Sequence, residues 1–210
     1  MINITNSNTL IIIDEGHGRD TPGKRSPLWS DGTQLYEWEF NRFIGKQFMS
    51  HLKLGNISFV RLVPEDTDVS LAERKRRVED YYNRYKKNYY VYCVSIHGNA
   101  AEDSRANGIE VFTSHGKDDS DAIAEIYLKQ LESLGWKMRY DKSDGDLDKE
   151  ANFAMVKLPC PSILTENGFY SNEQECKKML SLDWRNRIAY AHYLAAKSIE
   201  LNVELNKRIV

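Results

Sequence analysis

Three short apolar runs in this chain lead into side chains that bind metals or carry protons. Residues 10–20, LIIIDEGHGRD, close a β-branched run on His17, held between Gly16 and Gly18. Residues 89–100, YYVYCVSIHGNA, deliver His97, again followed by a glycine. Residues 161–169, PSILTENGF, deliver Glu166. Glu37 opens the helical pattern after a long first loop and can reach the same edge. Two imidazoles and one carboxylate are the ligands of an open catalytic zinc site, with water in the fourth position. Such an ion brings the pKa of that water to about 7 and polarises a bound carbonyl. A further carboxylate, off the metal, then serves as general base and later protonates a leaving nitrogen. His17, Glu37, His97 and Glu166 supply that set.

Each residue also has a plainer reading when taken singly. His17 or His97 can be a loop histidine bonded to backbone. Glu37 can be a first-turn acid favoured by the helix dipole, and Glu39, two residues on and on another face, competes with it. Glu166 can be a solvated loop acid. Residue types and spacing alone leave Glu37 and Glu39 both open.

The elements that must position these groups follow from hydrophobic patterning. Short runs at 10–14, 57–62, 89–96, 108–113 and 162–165 suit strands buried on both faces. Helical periodicity appears at 38–52, 70–85, 118–134 and 183–201, the second opening on a Ser70/Glu73 capping box. Strands alternating with helices predict an α/β domain with a mostly parallel sheet and ligand-bearing loops at the strands' carboxyl ends. No internal repeat or flexible linker is visible, so one domain over 1–210, with its core at about 9–200, is expected. Two loops stand out: 19–34, rich in Gly, Pro and Ser, and the acidic 140–149, YDKSDGDLDK.

Composition narrows the function classes. The 210 residues carry a formal charge of -2 and are 41% hydrophobic, with no basic footprint for nucleic acid. No apolar run approaches the roughly 20 residues of a membrane span. Cys93, Cys160 and Cys176 are odd in number and lack CxxC spacing, so reduced thiols are expected. The start, MINITNSNTL, lacks the charged and apolar regions of a signal peptide.

With these residues in view, the chain resembles a known family. IIIDEGHG, YEWEFN, LAERKRR, SIHGNA, GIEVFT and SILTENGFYSN occur in the order found in type-3, zinc-dependent N-acetylmuramoyl-L-alanine amidases. That family includes cell-separation enzymes, sporulation hydrolases and phage endolysins. The resemblance runs from about residue 10 to 199. It implies a mixed, mostly parallel sheet flanked by helices on both faces. It also implies a zinc ion held by His17, Glu37 and His97, choosing Glu37 over Glu39, with Glu166 catalytic. The implied reaction is hydrolysis of the amide between the lactyl group of N-acetylmuramic acid and L-alanine in peptidoglycan.

Departures from the family pattern are Glu15, Arg19 and Asn167, the first two expected to charge the cleft mouth. No inserted helix is seen to plug the cleft. Asn99, two residues past His97, is a candidate substrate contact or a loop cap, and His115 a candidate for the cleft wall. Arg74 is expected to make structural ion pairs, and His51 and His192 to be surface or packed residues. The rival readings are a zinc peptidase acting within the stem peptide and a catalytically inactive wall-binding module. Synthesis without an export signal, with action at the wall, fits either release as a phage lysin or a chain that has lost its leader. The oligomeric state is not legible.

Overall fold

The computed structural model describes residues 1–143 and 145–209, and the side chains of these up to residue 205. Seven strands form one sheet: β1 (Ile2–Asn3), β2 (Thr9–Glu15), β3 (Ser58–Arg61), β4 (Tyr90–Asn99), β5 (Ile109–Thr113), β6 (Lys149–Glu150) and β7 (Ser162–Phe169). Their order is β1-β3-β2-β4-β7-β5-β6. The centre, β3-β2-β4-β7, is parallel, while β1 and β5 run antiparallel to β3 and β7. Among the described residues, five helices complete the fold: α1 (Glu37–Leu54), α2 (Leu71–Tyr85), α3 (Asp119–Ser133), α4 (Glu173–Leu180) and α5 (Leu182–Ile209).

The alternation of side chains along a strand builds two cores from one sheet. Ile11 and Ile13 of β2 face Phe40, Phe48, Tyr127 and Ile188, under α1, α3 and α5. Leu10 and Ile12 face Val60, Val78, Cys93 and Met155, under α2 and the segment before β7. Both faces of β2 are covered, so every one of its residues is buried. That is why it reads as a continuous apolar run.

The structure extends several expected elements. β4 continues through Asn99 and β7 through Phe169, so His97 and Glu166 lie inside strands and not at their ends. Ser70 caps α2 by accepting from the Glu73 amide at 3.3 Å, but the Glu73 carboxylate binds Arg76 and Arg77, so the box is half made. The full reciprocal box belongs to α3, between Asp118 and Asp121. β1, β6 and α4 are too short to carry a periodic signal. Within the loop 140–149, Asp144 lies outside the described residues, as does Val210 of the tail. The cysteines are buried free thiols.

His192 of α5 is a packed residue with a measurable consequence. It is fully buried, its Nδ1 donating to the Ile188 carbonyl (2.9 Å) and its Nε2 against Thr165 Oγ1 (3.0 Å). Burial lowers its pKa from 6.5 to about 4. The unfolded chain therefore takes up this proton first as the pH falls. Stability from this group is complete above pH 6.5 and declines by about 3 kcal/mol as pH reaches 4. Urea unfolding at pH 7 and 4.5 is expected to show a steeper loss in the wild type than in His192→Asn. Equal losses would remove His192 from the acid response.

Candidate active site

His17 sits two residues beyond β2 with φ +63°, a left-handed conformation uncommon for a residue with a Cβ. Its carbonyl is pinned by two guanidiniums, Arg42 Nη1 at 2.9 Å and Arg74 Nη2 at 3.4 Å. Asn41 Nδ2 holds the preceding carbonyl of Gly16 at 3.0 Å. The flanking glycines are explained by close approach. A Cβ on Gly16 would stand 2.1 Å from the His97 ring, and one on Gly18 would stand 2.1 Å from the Asp68 backbone. The histidine itself makes the turn, and the glycines clear the room.

Glu37, the first residue of α1, is 1% exposed and bridges the two imidazoles. Its Oε1 is 3.3 Å from His17 Nε2 and 3.1 Å from His97 Nδ1. Its Oε2 accepts from the Tyr170 hydroxyl at 3.1 Å. Burial alone would raise the Glu37 pKa. The close contacts and charges of His17 and His97 outweigh it and hold the carboxyl far below the usual range. His97 shows the complement: burial opposes its charge, but the Glu37 bond and the Glu166 and Glu37 charges raise its pKa.

Behind His97 runs a relay of fixed polarity. Arg74 Nη1 donates to Asp14 Oδ1 (2.6 Å), and Ser95 Oγ donates to Asp14 Oδ2 (2.6 Å). With its hydrogen so committed, Ser95 accepts from His97 Nε2 (3.2 Å), assigning the proton to that nitrogen. Nδ1 then points at the Glu37 group. Partners of this kind orient metal-ligating histidines, and their loss typically lowers metal affinity about 10–100-fold. Ser95→Ala is expected to weaken zinc binding by that factor in competition with a chromophoric chelator, with the melting profile little changed. Unchanged affinity would make the relay purely structural.

Glu166 is the register partner of His97 across β4 and β7, and of Glu110 across β7 and β5. Burial, reinforced by the Glu37 and Glu110 charges and opposed by those of His97 and Lys24, pushes its pKa up to about 8. Its Oε2 is shielded and has no hydrogen-bond partner. Glu110 accepts from Arg139 Nε (2.7 Å), Lys149 Nζ (2.6 Å) and Asn99 Nδ2 (2.7 Å). Glu166 lines a cavity of ≈ 190 Å³ with His17, His97, Lys24 and Met155.

The donors suit a zinc ion. His17, Glu37 and His97 offer ligand atoms that all lie within 4.8 Å of one another. The 3.1 and 3.3 Å separations match the roughly 3.3 Å edge of a tetrahedron with 2.0–2.1 Å bonds. The His97 Nδ1 and Glu37 carboxylate that face each other are satisfied by a proton on Nδ1, which a metal cation seated between them would displace. His17 Nε2, though close to Glu37, is not aligned to it and is a buried nitrogen without a hydrogen bond. The imidazole side chains remain 18% and 14% exposed, which leaves an approach from solvent.

The structure brings His17, Glu37, His97 and Glu166 together and leaves other candidates elsewhere. Glu39 is exposed. Asn99 touches the group only through Glu110. His115 follows β5, whose antiparallel course carries it to the opposite edge of the sheet, where it pairs with Glu150 (2.9 Å). Glu15 is not at the cleft mouth: it is buried on the far face of β2, paired with Arg61 at 2.6 Å. Arg74 makes the ion pairs expected of it, with Asp14 and Asp68. Sequence reasoning passed over Tyr170, Ser95, Asp14 and Lys24. Asp14 and Ser95 do stand three and two residues before the histidines, on the strands that carry them.

Comparisons with known proteins bear on the family and the fold. The model of the family described as N-acetylmuramoyl-L-alanine amidase matches residues 11–198. N-acetylmuramoyl-L-alanine amidase LytC of Bacillus subtilis is 29% identical over 185 residues, covering 86% of this chain and 33% of LytC. This chain thus spans about a third of that relative's length. Among solved structures, the catalytic domain of the amidase CwlV of Bacillus (Paenibacillus) polymyxa superposes with TM-score 0.75 at 25% identity. The superposition covers 93% of this chain and 99% of that one. Ami1 from Mycobacterium smegmatis shares the fold at TM-score 0.77 and 17% identity, covering 95% and 100%.

Proposed function

Because this chain belongs to the N-acetylmuramoyl-L-alanine amidase family, we propose that it cleaves the amide joining N-acetylmuramic acid to the L-alanine of the stem peptide in peptidoglycan. We infer further that His17, Glu37 and His97 hold a catalytic zinc ion and that Glu166 moves the proton. The observation that carries this reading is the pairing of Glu166 with His97 in adjacent strand positions, with shielded, unbonded atoms on Glu166 and His17 beside the bridging Glu37.

When bound, zinc polarises the lactyl carbonyl and makes water a competent nucleophile near neutral pH. Glu166 takes a proton from the attacking water as the new C–O bond forms. It then delivers that proton to the alanine nitrogen as the C–N bond breaks, leaving a carboxylate and a free amine. A pKa raised toward neutrality suits both halves of that task. Tyr170 and Ser95 keep Glu37 and His97 in place throughout. The site of action is the cell wall, and the substrate is the polymer or a fragment of it.

The test is digestion of purified peptidoglycan with and without chelator, with products identified by mass spectrometry. The expected products are stem peptides beginning at L-alanine, lost on chelation and restored by zinc. Cleavage within the stem would make the chain a peptidase on the same site. Binding to the wall without release of peptide would make it a non-catalytic module.

A further inference from the structure

We propose that Asp121, Asp146 and Asp148 hold a calcium ion at the edge of the sheet opposite the histidines. Their carboxylates offer oxygens that lie within 4.8 Å of one another. They come from two places: Asp121 from the first turn of α3, Asp146 and Asp148 from the acidic loop leading into β6. Neither Asp146 nor Asp148 is among the residues lining the cavity at Glu166. β5 runs antiparallel to β7, so its end at Thr113, where Asp148 is bonded, lies away from Glu166.

The second observation concerns Asp148. It is 1% exposed, its Oδ2 accepts from Thr113 Oγ1 at 2.6 Å, and its Oδ1 is shielded with no hydrogen-bond partner. A buried carboxylate oxygen left bare is costly. No lysine or arginine forms an ion pair with Asp121 or Asp148 among the described residues. Lys117, on the exposed loop beside them, attracts Asp121 only through space. Asp121 commits Oδ2 to the Asp118 amide at 2.7 Å and keeps its other oxygen available. Burial and the Asp146 and Asp121 charges push the Asp148 pKa up to about 7, the signature of carboxylates crowded without a cation. An all-oxygen, all-carboxylate set selects a hard ion, and calcium tolerates the irregular geometry and completes its six to eight oxygens with water and loop carbonyls.

The experiment uses the full zinc-loaded chain, titrated with calcium chloride by calorimetry and followed by thermal melting. Calcium is expected to bind and to raise the melting temperature by roughly 5 °C or more at about a hundredfold excess over its Kd. Asp148→Asn should melt at or above the wild type without calcium, since it removes a buried charge, and should gain nothing when calcium is added. Zinc content is expected to be the same in both. Neither heat nor a shift up to about 10 mM calcium, beyond the weak end of calcium modules, would overturn the site. So would an equal shift in Asp148→Asn, or a response to magnesium with none to calcium.

Discussion

Glu166→Gln is expected to lower peptidoglycan hydrolysis by about 10²–10⁴-fold, the usual worth of a positioned acid–base group, while the zinc content stays unchanged. Glutamine preserves the volume of the side chain in its strand position beside His97 but cannot accept a proton at the reacting atoms. The proposed zinc donors are His17, Glu37 and His97, whose ligand atoms lie within 4.8 Å of one another, so that set is intact in this variant. Dye release from labelled sacculi, with zinc measured on the same sample, reads both quantities. A wild-type rate would end the assignment of Glu166 as base. Joint loss of zinc and turnover would move Glu166 into the ligand set.

Arg74→Met is expected to cost about 3–5 kcal/mol of stability, the range for removing one partner of a buried ion pair. Arg74 keeps 3% of its side-chain exposure and serves five acceptors: Asp14 (2.6 Å), the Val69 carbonyl (2.8 Å), the Glu15 carbonyl (2.9 Å), Asp68 (3.1 Å) and the His17 carbonyl (3.4 Å). Methionine fills the space of the stem and satisfies none of them. Asp14, 1% exposed, is left as a buried charge bonded only through Ser95. Adding Asp14→Asn should therefore recover part of the loss, a non-additivity that a double-mutant cycle in urea resolves. A cost under about 1 kcal/mol, the scale of an exposed pair, would contradict the burial argument.

The frame of this fold was legible because burial on both faces writes itself into continuous β-branched runs, as in TLIIIDE. The runs locate strands but not where they stop. β4 and β7 pass through the polar residues His97 and Glu166 because their ladder hydrogen bonds continue beyond the apolar stretch. The glycines flanking His17 stand where the His97 ring and the Asp68 backbone approach closely, while His17 itself makes the turn. Which residue would take the positive φ depended on Arg42 and Arg74, distant in sequence, gripping the His17 carbonyl. Glu15 read as a cleft residue from its place in the motif, yet strand alternation turns it to the opposite face, where Arg61 of β3 neutralises it. Tyr170 escaped notice because a tyrosine in a chain with twelve carries no chemical signal until its hydroxyl is seen on Glu37.

The strand order also sets when the molecule can become active. β7 is the last strand to leave the ribosome, yet it lies between β4 and β5, which are not ladder neighbours and are each paired to it. A nascent chain that ends at α3 already contains His17, Glu37 and His97 but has no Glu166 and no strand between β4 and β5. Pairings of such long sequence separation form slowly and as a unit. On the proposed assignment, competence arrives late in synthesis and in one step, and a product truncated before Phe169 is expected to be inert.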